Sequence, residues 1–147
     1  MVCSILYFDK NQKDCQDFYQ QQQEVIARKL GPGGSRNISL ASSLDELIRK
    51  NPNPEIAFFD LYLGTEYQPE ALAAAQWLHG QHTEVSKRFS TNGIYTLVHP
   101  LLLPSTLPTE VQQALHESVI HRLIPKDFYA TIKMELIIDE HERYHLL

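Results

Sequence analysis

Asp9, Asp60 and Lys126 are the residues of this chain whose types and settings could do chemistry. Each closes an apolar run: Asp9 follows "ILYF", Asp60 follows "AFF" and Lys126 follows "LIP". Burying an unpaired carboxylate costs a sizeable part of a domain's whole stability. Asp60, inside "PEIAFFDLYLG" (54–64), must therefore emerge at a rim or meet a cation. Two carboxylates and an ammonium meeting at one rim suit a divalent cation and a phosphoryl group. Asp60 would then be the oxygen nucleophile, carrying the phosphoryl group as a mixed anhydride. The simpler alternative is a carboxylate paired with Lys10 or Lys126 and held there by charge alone.

Convergence of residues so far apart requires a sheet whose strands all end at one edge. Apolar runs at 3–9, 37–42, 54–64, 93–99 and 119–124 predict five strands. Between and after them, "KNQKDCQDFYQQQQEVIARKLG" (10–31), "SLDEL" before "NPNP", "PEALAAAQWLHGQH" (69–82), "TEVQQALHES" (109–118) and the segment 126–147 predict helices. Ser43, with Glu46 three residues on, fits a capping box, and Pro69 suits a first helical turn. "GPGGS" (31–35) reads as a turn, and "TEVSKRFSTNG" as a polar connection. Strand and helix alternating five times over predict an α/β, doubly wound parallel sheet, with function at the carboxyl ends of its strands. The 147 residues are one domain's worth.

With that order of elements, the chain resembles the response-regulator receiver domains of two-component signalling, a (βα)5, flavodoxin-like fold. The resemblance runs nearly the whole length and rests on "ILYFDK", "IAFFDLYLG" and "LIPKDF". It implies that Asp60 is the phospho-acceptor position, Lys126 the phosphate-sensing lysine, and Asp9 with Asp60 the metal ligands. It also implies a sensor kinase or regulatory protein as partner, and a homodimer face over residues 108–140.

The departures from the family bear on function. Lys10 stands where a second acidic residue is expected. The switch hydroxyl position falls on His99, before Pro100, with Thr96 and Ser105 as possible substitutes; the aromatic switch position falls on Leu123. If Lys10 points into the site, the four side chains sum to about zero, and an ammonium 4–6 Å from a carboxylate competes with a cation by about 3–4 kcal/mol at an effective dielectric near 20. Mg²⁺ would then bind weakly or not at all. If the long lysine stem swings into water, that competition disappears. The sequence thus predicts a receiver-like regulatory domain acting through protein contacts, a pseudo-receiver and not an enzyme. The alternative is a Mg²⁺-dependent phospho-acceptor at Asp60.

A formal charge of −5 with no basic run argues against direct nucleic-acid binding. Cys3 and Cys15 are too few for a disulfide framework and read as buried thiols. With no apolar stretch near membrane-span length and no secretory leader in "MVCSILYFDK", the expected location is the cytoplasm. "HERYH" (141–145) spells HExxH, but only two residues follow it to supply a third ligand, and chance helix-surface residues account for it better. "FDLYLGT" lacks the second aspartate of haloacid-dehalogenase-type phosphatases, Tyr62 standing there instead. His79 and His82 read as solvated residues near a helix end, Trp77 as helix packing, and Leu101 to Leu103 as a small apolar patch if exposed.

Overall fold

A computed structural model of the protein describes residues 3–30, 36–85, 93–100 and 106–146, and only the backbone at 30, 82–85 and 144–146. The expectations for "GPGGS", most of the 83–93 connection, Leu101 to Leu103, Ser105 and the side chains of His82 and His145 lie outside the described residues.

Five strands, β1 (Cys3–Phe8), β2 (Arg36–Ala41), β3 (Ile56–Asp60), β6 (Gly93–Val98) and β7 (Arg122–Pro125), form one sheet in the order β2-β1-β3-β6-β7. Every pairing is parallel. Parallel strands need long crossovers, supplied here by helices α1 (Gln12–Val25), α2 (Leu44–Lys50), α3 (Pro69–Val85) and α4 (Thr109–His116), with α5 (Ala130–Leu146) closing the chain. β3 is central, and all five of its residues are buried, as a strand covered on both faces requires. Leu6, Phe8 and Phe59 pack with Leu47, Leu72, Leu78 and Val111, which puts α2, α3 and α4 over one face. Ile5, Tyr7, Phe58 and Leu97 pack with Phe18, Met134 and Ile138, which puts α1 and α5 over the other. The expected doubly wound sheet is the one observed.

Local chemistry fixes several element ends. Asn11 Oδ1 accepts the Lys13 N–H (3.0 Å) and so starts α1. Ser43 Oγ accepts the Glu46 N–H (3.1 Å), while the Glu46 carboxylate reaches back to the Ser42 N–H (2.8 Å), one residue earlier than a capping box predicts. Asn51 ends α2 in the left-handed region, φ 45°, ahead of the prolines.

Three boundaries differ from the sequence reading. The expected strand 54–64 stops at Asp60, and the chain turns into a two-stranded hairpin of β4 (Tyr62–Leu63) and β5 (Glu66–Tyr67). Gly64, at φ 62°, supplies the turn. The expected strand 119–124 becomes 122–125. Ser118 turns left-handed (φ 60°); the His121 N–H donates to Ile94 O (2.8 Å), but the Ile94 N–H is accepted by His121 Nδ1 (3.0 Å), so a side chain stands in for the backbone acceptor where the ladder begins. Helix α1 ends in a π-helical turn, Ile26–Leu30. There Lys29 reaches Asp139 (2.7 Å) and Glu135 (3.5 Å) on α5.

Candidate functional site

At the carboxyl edge of the sheet, backbone bonds set the rim. Asp9 N–H donates to Ala41 O (3.1 Å), Leu61 N–H to Leu97 O (3.0 Å) and Lys126 N–H to Val98 O (2.8 Å). These bonds bring residues 9, 60 and 126 to one place, as the sequence predicts. Lys126 Nζ lies 2.5 Å from Asp60 Oδ2, and the Tyr62 N–H donates to Asp60 Oδ1 (3.0 Å). Asp60 is 1% exposed, and these two partners answer for a buried charge on a greasy strand.

A further carboxylate joins them. Asp14, in the first turn of α1, sits 3.4 Å from Lys126 Nζ, and carboxylate oxygens of Asp9, Asp14 and Asp60 all lie within 4.8 Å of one another. Asn11 opens α1 two residues after Asp9, so the helix's first turn faces the rim and carries Asp14 there. Sequence reading missed it: five residues after Asp9, outside any motif, it looks like one more acid on a polar helix.

Lys10 is not among these groups. Its side chain is 55% exposed, and its ammonium lies 3.9 Å from Glu70 at the start of α3. Glu70 also accepts the Leu44 N–H (3.2 Å). The inward competitor considered from sequence is thus directed toward α3, and the long stem explains why that is cheap. Three carboxylates and one ammonium remain, a formal −2 when all are ionised.

The electrostatics follow from burial. Asp9 is pushed up to about 7, first by burial and then by the charge of Asp60, although the Asn11 N–H on its Oδ1 (2.9 Å) pulls the other way. Burial depresses the Lys126 ammonium, but its bond to Asp60 and the fields of Asp60, Asp9 and Asp14 more than offset this and leave it above the usual lysine range. Tyr7 is raised far out of reach of neutral pH by burial and by Asp9, whose Oδ2 accepts the Tyr7 O–H (3.0 Å). Beside the site, a cleft of about 540 Å³ runs between α1 and α5, bordered by Tyr7, Asp14, Phe18 and Lys126.

An all-oxygen set of three carboxylates is the donor chemistry of a hard divalent cation, with water completing the shell. Asp9, Asp14 and Asp60 fit such an ion.

His99 follows β6 directly and is half-buried; Leu123, on β7, is half-buried and packs against the core. Thr96 is fully buried, with its hydroxyl unpartnered, in register with Phe59 below the rim. Cys3 and Cys15 are buried free thiols, both pushed up to about 12 by burial. His141 and Glu142 of "HERYH" face Glu55 (2.8 Å) and Arg36 (2.7 Å) respectively, so both serve to anchor α5. Trp77 packs against the core, and His79 is half-buried, more enclosed than a solvated surface residue.

No protein-family model and no curated protein matches the sequence. Solved structures do: the chain has the fold of response-regulator receiver domains. The signal receiver domain of an HD domain-containing protein from Pseudomonas fluorescens Pf-5 aligns at TM-score 0.62 and 13% identity, over 100% of both chains. A CheY-like receiver domain protein from Methanospirillum hungatei JF-1 aligns at TM-score 0.61 and 14% identity, over 97% of this chain and 96% of that one. The Thermotoga maritima response regulator DrrB, an OmpR/PhoB homolog, aligns at TM-score 0.61 and 10% identity, over 98% of this chain and 54% of that longer one.

Proposed function

We propose that the protein is a receiver-type signalling domain that accepts a phosphoryl group on Asp60 and acts through protein contacts. The observation that carries this is the meeting of Asp9, Asp14, Asp60 and Lys126 at the carboxyl edge of the sheet, with Lys10 turned toward Glu70. A Mg²⁺ ion held by Asp9, Asp14 and Asp60 would supply charge neutralisation for the phosphoryl oxygens. Asp60 offers a carboxylate oxygen to the phosphorus of an acyl phosphate or a partner's phosphohistidine. The new P–O bond forms as the bond to the leaving group breaks, and that bond's electron pair departs with the leaving group. Lys126, already on Asp60 Oδ2, moves its ammonium to a phosphoryl oxygen, and the Tyr62 N–H holds the acceptor in place.

A second reading is a pseudo-receiver that keeps the fold for contacts alone. It is favoured by the switch positions, where His99 offers no hydroxyl and Leu123 no aromatic ring. One experiment separates the two. Incubation with acetyl phosphate and Mg²⁺ is expected to add the mass of one phosphate, and Asp60→Asn is expected to abolish the gain. No gain in the parent protein would establish the pseudo-receiver instead.

For either reading the partner is a protein. The outer side of the segment 128–136 presents Phe128 (90% exposed), Tyr129, Ile132 and Leu136, within the stretch from which the receiver likeness would build a homodimer. Among the described residues no helix is long and apolar enough to cross a membrane. A cytoplasmic location goes with this reading.

A further inference from the structure

Asp9 has both oxygens committed: Oδ1 to the Asn11 N–H (2.9 Å) and Oδ2 to the Tyr7 O–H (3.0 Å). Tyr7 is 4% exposed and lies two residues before Asp9, which directly follows β1, so continued alternation sends both side chains to the face covered by α1 and α5. Its ring stacks on Phe18 of α1, with centroids 4.4 Å apart and planes 11° from parallel. Phe18 is one helical turn beyond Asp14 on that helix. Through its hydroxyl and its ring, one side chain therefore fixes the position of Asp9 and the seating of the helix that delivers Asp14. A buried apolar strand does not call for a hydroxyl; leucine or phenylalanine would fill the space without a polar group to satisfy.

Resting on the cation-binding reading above, the geometry points to Tyr7 as a positioning residue for a divalent cation, acting through Asp9 and α1 without being a ligand itself. Partners that hold a metal's ligands in place fix their orientation, and losing one costs about 10–100-fold in metal affinity. Tyr7 leaves the carboxylate its remaining lone pairs for the ion while preventing it from rotating away. Because the ring and the hydroxyl do separate things, they can be tested separately.

The test uses the whole chain. Tyr7→Phe keeps the stack on Phe18 and removes only the hydroxyl. Mn²⁺ affinity, read by electron paramagnetic resonance of the free ion, is expected to fall about tenfold in this variant. The Mg²⁺ concentration giving half-maximal phosphorylation by acetyl phosphate is expected to rise by the same factor, about tenfold, with the rate at saturating Mg²⁺ little changed. A merely structural hydroxyl would lower the melting temperature and leave that split unmoved. Tyr7→Leu, which also removes the stack, is expected to lose more Mn²⁺ affinity than Tyr7→Phe. Mn²⁺ binding to Tyr7→Phe that matches the parent would overturn the role of Tyr7 alone. A parent protein that binds no Mn²⁺ would overturn the cation reading and this inference together.

Discussion

Asp9 is the residue where the site's burial has a measurable thermodynamic cost. Its pKa rises from 3.8 to about 7 on folding, through burial and the charge of Asp60. Between those values the folded chain holds a proton that the unfolded chain releases. Stability from this group is therefore fullest below about pH 4 and is lost as pH climbs through 7. Without a divalent cation, the melting temperature is expected to fall between pH 5 and pH 8 from this contribution, and Asp9→Asn should flatten that decline. Thermal melts in chelator at the two pH values check it; an Asp9→Asn profile as steep as the parent's would refute it. At this scale the sequence disclosed Asp9, Asp60 and Lys126, because a charge after an apolar run is conspicuous. Asp14 and Tyr7 stayed hidden for opposite reasons. An acid on a polar helix and an aromatic in an apolar strand each match their surroundings, and only the approach of α1 to the sheet edge gives them a task.

At the scale of elements, the joint between β2, α1 and α5 is held by charge. The Arg36 guanidinium, its side chain wholly buried, meets Glu142 (2.7 Å), Glu135 (2.9 Å), Asp139 (3.6 Å) and the Gln22 Oε1 (2.8 Å). Removing the cation from such a cluster leaves several carboxylates facing one another in partial burial. Arg36→Ala is expected to cost about 3 kcal/mol, and Glu142→Gln, which keeps a hydrogen-bonding group, about 1 kcal/mol. Urea denaturation measures both, and equal losses would contradict the charge argument. None of this joint was legible beforehand, since its members span residues 22 to 142 and share no local pattern. The five alternations of strand and helix were legible, because periodicity is local. Element ends were less so: the hairpin after Asp60 depends on Gly64, and the late start of β7 depends on an imidazole from His121 standing in for backbone.

For the molecule as a whole, the fold places the cluster of Asp9, Asp14, Asp60 and Lys126 at one end of the sheet and the charge joint at the other. Helix α5 spans the two. It begins four residues after Lys126 and is tied near its far end by His141 to Glu55 and by Glu142 to Arg36. If Asp60 accepts a phosphoryl group as proposed, the pull on Lys126 is expected to be taken up in residues 127–133, which bear Phe128, Tyr129 and Ile132 and precede the ion pairs of Glu135, Asp139 and Glu142. Hydrogen exchange after acetyl phosphate and Mg²⁺ is expected to change in that stretch and to stay constant at 138–142; the reverse pattern would mean the clamp gives way first. The exposed rings of Phe128 and Tyr129 would then act as the pointer of a balance, displaced most where the beam is free.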